Sequence, residues 1–217
     1  GLMFYSSAPG IANCKITGNT ATVNGGGIYL FSSTSSVYSN CTVSGNTAAS
    51  GAGIYATTVT QATDFIDCNI SSNTASANGG AVYAVSADIN LENCFISGNT
   101  ANTGGGIYMF TSTDLSITNC LVSGNLASSA GGLWSSSSAP TISNSTFTGN
   151  RATSSNGGLY FTLLILGNPP AINNSIIYGN RVGVTASNIV TSGVLEFPDV
   201  AYSIIENTGG YTDNGNN

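Results

Sequence analysis

The stretch Asn93 to Tyr108, NCFISGNTANTGGGIY, decides the fold, because the rest of the chain repeats it. Close copies begin at Asn13 (NCKITGNTATVNGGGIY), Asn40 (NCTVSGNTAASGAGIY), Asp67 (DCNISSNTASANGGAVY), Asn119 (NCLVSGNLASSAGGLW) and Asn144 (NSTFTGNRATSSNGGLY). Fainter copies follow at Asn174 (NSIIYGN) and Tyr202 (YSIIEN). Cys14, Cys41, Cys68, Cys94 and Cys120 mark the register at steps of 27, 27, 26 and 26 residues, and Ser145, Ser175 and Ser203 continue it. A period of this length indicates stacked units, none of which can bury its own apolar face alone.

Within each copy the apolar residues alternate with period 2, the pattern of a strand with one face buried. Two residues after the Cys position stands an aliphatic or Phe: Ile16, Val43, Ile70, Ile96, Val122, Phe147, Ile177 or Ile205. The hydroxyl row that follows, Thr17, Ser44, Ser71, Ser97, Ser123 and Thr148, is expected to face outward. A Gly-Asn turn pair comes next, placing Asn19, Asn46, Asn73, Asn99, Asn125, Asn150, Asn180 and Asn207 in register. Asn tolerates tight turns, and stacked amides can hydrogen-bond along an axis.

A second strand follows the glycines, with Ile28, Ile54, Val82, Ile107, Leu133 and Leu159 inward. Their neighbours Tyr29, Tyr55, Tyr83, Tyr108, Trp134 and Tyr160 then form an outward aromatic row. A third strand, marked by Ile11, Tyr38, Phe65, Leu91, Ile117, Ile142, Ile172 and Val200, leads back to the Cys position. Three short parallel strands per unit describe an all-β solenoid, a parallel β-helix of about eight coils of ~26 residues. One domain spans 1–217, with degenerate terminal coils over 181–217, where Asn188-Ile189-Val190 substitutes for the glycine strand. Variable loops are expected at Phe31 to Ser36 and Thr57 to Ala62, and an apolar bulge at Phe161 to Ile165.

Composition narrows the partners. Only 6% of residues are charged, there is no His, and three cations (Lys15, Arg151, Arg181) face nine carboxylates, for a net charge of −6. Such a chain is not built to neutralise phosphates, so nucleic acid is an unsuitable partner. No apolar run is long enough to span a bilayer as a helix. The opening in mid-repeat suggests a mature or excised segment of a secreted precursor.

The motifs GG-aliphatic-aromatic (GGGIY at Gly25 and Gly104, GGLY at Gly157) and FTGN or VSGN (at Phe147 and Val43) resemble the repeats of chlamydial polymorphic outer-membrane proteins. They are similar too to those of related bacterial β-helix surface proteins. The resemblance covers nearly the whole chain. It implies a right-handed, pectin-lyase-like β-helix exported to the cell surface or the extracellular space, often acting in adhesion.

The residues themselves offer little chemistry. A lyase or glycosidase on such a scaffold needs clustered carboxylates. The nine here (Asp64, Asp67, Asp88, Glu92, Asp114, Glu196, Asp199, Glu206, Asp213) are scattered, with Asp67 and Glu92 the only candidate neighbours on one face. No catalytic, cofactor or metal site is expected, and without His the usual proton shuttle is missing. The cysteines lack close C-x₂₋₄-C pairs for metal. In-register thiols point the same way rather than at one another, so a buried ladder of reduced thiols acting as small hydrophobes is expected. The aromatic row is the candidate surface for a glycan or protein partner. The reading is a non-catalytic surface stalk or adhesin. The alternatives are a filament subunit pairing with itself end to end and a carbohydrate-active protein.

Overall fold

The computed structural model describes residues 1–111, 115–162, 168–193 and 197–206, and the short strand Thr212–Asp213. Among them there are only strands and turns, arranged as a parallel β-solenoid of about seven turns with three sheets. The first sheet holds the strands after the Cys position, from Lys15–Thr17 to Ile204–Ile205, eight in all. Residues one period apart pair directly: Ile16 on Val43, Ile70 on Ile96, Val122 on Phe147. The glycine strands and the third strands share one 15-stranded sheet. They fuse where Ile54–Ile66 and Val82–Glu92 run without interruption. Thr57 to Ala62, expected as a loop, is therefore strand, bent at Thr58 by a left-handed φ of 55°.

The third sheet is absent from the sequence reading. Its seven strands follow the register asparagines, as at Thr47–Ala48, Thr74–Ala75 and Thr100–Thr103. Ala48, Ala52, Ala75 and Ala101 make a small core beneath it. The recurrence of Ala seven residues after the Cys position (Ala21, Ala48, Ala75, Ala101, Ala127, Ala152) is the signal that reveals it. Two-residue strands are too short for period-2 alternation to show. Where eight coils are expected, this sheet supports about seven. Its last pair, Arg181–Val182 and Thr185–Ala186, is antiparallel, and the copy at Tyr202 adds only Ile204–Ile205 to the first sheet.

Single left-handed residues make the corners. One precedes the Cys position, with Asn13, Asn40, Asp67, Asn93, Asn119 and Asn144 at φ of 50–57°. Another is Gly98, Gly124 or an equivalent, just ahead of the register asparagine. A third opens the glycine run, as at Gly104 (φ 65°). Gly and Asn accept this conformation at least cost. The glycine, not the register asparagine, thus supplies the turn geometry.

The asparagine instead turns inward. Asn46, Asn73, Asn99, Asn125, Asn150 and Asn180 are fully buried and form a continuous amide column. From Asn46 to Asn150, Nδ2 donates to Oδ1 of the asparagine one coil on, as Asn73 does to Asn99 at 3.0 Å. It also donates to a carbonyl of the preceding coil, as Asn99 does to Ile70 O at 2.9 Å. Oδ1 accepts a backbone N–H as well, Asn73 N to Asn99 Oδ1 at 2.9 Å. Both amide protons and both acceptor positions are used, which is what burial of a primary amide requires.

A glycine stands beside the column in most coils, with Ala81 on the rung between Gly53 and Gly106 showing that one methyl is also accommodated. A Cβ on Gly106 would lie 3.3 Å from Asn125 Nδ2 and 2.6 Å from Gly132 O. In the last coil Asn188 replaces this glycine, in line with Gly158, and its own amide fills the space. Asn180 donates to Asn188 Oδ1 at 2.8 Å, and Asn188 Nδ2 to Glu206 Oε2 at 3.0 Å. Glu206 Oε2 also accepts Gly179 N–H, and Oε1 meets Arg181 at 3.2 Å. Asn207, expected to continue the row, lies outside the described residues.

Inside the solenoid, Ile, Val, Leu and Phe columns form one core that runs from Ile16 to Val200. Tyr38 is buried within it, stacked on Phe65 at 4.7 Å, and its hydroxyl has no partner among the described residues.

Replacing Asn99 by Ala leaves Asn73 N–H and one Asn73 Nδ2 proton buried without their acceptor, and should lower unfolding stability by about 3 kcal/mol or more. Urea denaturation would measure it; a loss below about 1 kcal/mol would contradict the column's role. Tyr38→Phe, which deletes only an unpaired hydroxyl, should leave stability equal or raised.

Glu206 gives a pH test. The hydrogen bonds from Asn188 and Gly179, then Arg181, hold its carboxyl below the usual glutamate value of 4.5. A depressed folded pKa contributes stability above pH ~4.5 that disappears as pH falls through the folded value. The C-terminal coils should therefore loosen on acidification, seen as faster amide exchange near Asn180, and Glu206→Gln should flatten that dependence.

Candidate functional site

The outer face of the glycine strands carries the aromatic column, and alternation puts it there. Ile28 and Leu30 point in, fully buried, while Tyr29 and Phe31 between and after them point out. Pairing keeps every rung aligned: Tyr29 on Tyr55, Tyr55 on Tyr83, Tyr83 on Tyr108, Tyr108 on Trp134, Trp134 on Tyr160. Ring centroids of the first five lie 5.1, 4.7, 5.0 and 4.4 Å apart, with planes within 6° of parallel. Trp134 and Tyr160 are 6.5 Å apart and tilted by 43°. All six are half-buried.

This stacking turns the ring faces toward one another rather than toward solvent. From Tyr55 to Tyr108 each ring covers its neighbours' faces, leaving edges and phenol hydroxyls outward. Burial raises the pKa of Tyr55, Tyr83 and Tyr108, with neighbouring phenols adding to the effect at the first two. At neutral pH these hydroxyls are protonated and can donate.

The sequence reading missed a second column two residues on. Tyr5, Phe31, Thr57, Val85, Phe110 and Ser136 are aligned rung by rung. Tyr5 and Phe31 stack at 4.8 Å. The i+2 spacing from Tyr29 to Phe31 and from Tyr108 to Phe110 was the available clue; Thr57 and Ser136 interrupt it and hide it.

The thiol column lies elsewhere, at the corner between the third strand and the first sheet. Cys41, Cys68, Cys94 and Cys120 are buried and free, and Cys14 is exposed and free. Size alone does not explain the site. Cys94 Sγ donates to Glu92 O and Phe65 O at 3.3 and 3.2 Å, and Cys94 N–H donates to Cys120 Sγ at 3.4 Å. Ser145 makes the same set, donating to Ser143 O and Ile117 O while accepting from Cys120 N–H. The site demands a small side chain that both donates and accepts, which Cys and Ser share. Contact between thiols, together with burial, raises the pKa of Cys68 and Cys94, the latter to about 12; burial raises that of Cys41.

Asp64 and Glu92 line one surface hollow with Asn90, Ser116 and Thr118. Asp67 occupies a corner and donates its N–H to Glu92 O at 3.0 Å, while Glu92 pairs in register with Ile66. Asp64 accepts from Asn90 Nδ2 at 2.8 Å. Among the described residues no three His, Cys, Asp or Glu side chains group to hold a metal. Asp114 and Glu196 lie outside the described residues.

The family model of the right-handed β-helix region matches residues 1–103 and 86–212. The chain belongs to that family. No curated protein and no solved structure matches it. Membership accounts for the coils of this β-helix and assigns no role to the ring column.

The thiol geometry makes a simple prediction. In native protein one cysteine, Cys14, should react promptly with a maleimide, and all five after unfolding. Cys94→Ser should be better tolerated than Cys94→Val in thermal unfolding, because only serine restores the donor to Phe65 O.

Proposed function

We propose that this chain is a non-catalytic, extracellular β-helix that serves as a cell-surface stalk or adhesin-like scaffold. The observation that carries the reading is the register of the outward columns. Aromatic rings recur on successive rungs from Tyr29 to Tyr160, so the rod offers a repeated, weakly charged surface rather than a single enclosed cleft. Repeated contacts of this kind suit a partner that is itself extended, such as a glycan or a matrix protein, since many weak sites on one body add in avidity. The likeness of GGGIY and FTGN to the repeats of chlamydial polymorphic outer-membrane proteins supports export and adhesion. The low proportion of charged residues, with solubility carried by Ser, Thr and Asn, fits contacts made through apolar and hydroxyl groups more than through ion pairs.

The test combines a glycan and matrix-protein array with a screen for polysaccharide cleavage. Saturable retention on an extended polymer, without release of reducing ends or unsaturated sugars, is the expected result. Turnover of any polysaccharide would overturn the reading in favour of the carbohydrate-active alternative. Sedimentation at rising concentration separates a discrete rod from an end-to-end filament.

A further inference from the structure

We propose that the groove between the two outward columns of the glycine strands binds elongated, planar, conjugated molecules lying along the rod axis. One wall is the ring stack from Tyr29 to Trp134. The other is Phe31, Thr57, Val85 and Phe110, aligned on the same rungs. The floor is backbone, because the intervening Leu30, Ala56, Ala84 and Met109 point into the core and are fully buried. The result is a straight, shallow channel with apolar sides and an unbroken base. The four rungs walled on both sides give it a length of ~14 Å at ~4.8 Å per step, enough for a rigid conjugated molecule of two or three linked rings.

The occupant follows from shape and area. The stacked rings present edges and hydroxyls along the channel, and a flat π-system laid across successive edges meets them in the edge-to-face arrangement that aromatic groups favour. Phe110, at 38% exposure, leaves apolar surface uncovered on the far wall. A second copy of the chain is a poorer fit. Even the full face, ~38 Å by ~10 Å, would bury only ~800 Å² in total, the scale of an adventitious contact. Charge favours a cationic ligand: the chain carries −6, and the third-strand face beyond the corner at Thr58 and Ser86 bears Asp64 and exposed Glu92.

This inference rests on the reading of the rod as a surface that binds along its length. Thioflavin T, a cationic planar dye, is a direct probe. Titrated into purified full-length chain, its fluorescence should rise and saturate, and the dye should sediment with the discrete rod. Phe110→Ser should weaken binding at least tenfold, and Tyr83→Ser likewise, with thermal melts confirming that each variant is folded. Phe95→Ser, which removes an exposed ring from the first sheet, should leave binding unchanged. No fluorescence rise, dye found only on aggregated material, or equal loss in the Phe95 and Phe110 variants would each overturn the proposal. Lost dye binding with polymer retention intact removes only this groove. Lost polymer retention with dye binding intact removes the adhesive reading and leaves the groove standing.

Discussion

A buried amide that must satisfy two donors and two acceptors is the constraint on which this solenoid depends. Each register asparagine spends its groups on the coil before and the coil after, so no coil is complete without both neighbours. Apolar stacking alone would permit one coil to slip along another, since Ile over Val and Val over Ile bury similar area. The amide column permits no such slip, because a shifted carboxamide would lose partners in a dry interior. It also keeps its surroundings small, with glycine in most coils and Ala81 in one. Gly106 and its equivalents leave room for the amide of the coil ahead, and Asn188 shows the rule from the other side by filling that room itself. The thiol and hydroxyl positions from Cys41 to Ser145 repeat the logic in a weaker form, each donating to two carbonyls.

Much of this was legible from the repeat. The period gave the stacking, and Ile16, Tyr29 and Ile11 with their counterparts gave the facing of three strands, because those segments are long enough to alternate. What stayed hidden had a physical reason in each case. Thr47–Ala48 and its companions are too short to alternate, and their alanines cover a narrow corner where nothing larger fits. Thr57 to Ala62 looked like a loop because its polar residues face solvent, yet its backbone pairs with Val85 and Ala87 on the next coil. The glycine-asparagine pair was taken as one turn, although the two residues do opposite work, one in the left-handed region and one in the core.

The candidate surface was half legible. Spacing placed Tyr29 to Tyr160 on the outside, but only ring planes and centroids show that neighbours cover one another's faces. Any account of recognition must then begin from edges, hydroxyls and the channel beside them. The companion column was obscured by Thr57 and Ser136, which a one-dimensional pattern treats as breaks and a rung-by-rung view treats as members. Family membership establishes the scaffold, and the distinctive chemistry sits in side chains that the scaffold leaves free to vary.

The amide column also has a sense. Along the amide-to-amide bonds every carboxamide donates to the higher-numbered asparagine and accepts from the lower, so this chain of hydrogen bonds runs in one direction down the interior of the rod. Aligned backbone peptides do the same in a helix, where the donor end attracts anions. Here the donor end meets the partly exposed Glu206 carboxylate, which also pairs with Arg181. The interior is thus directional along the axis even though the outer surface carries so little charge.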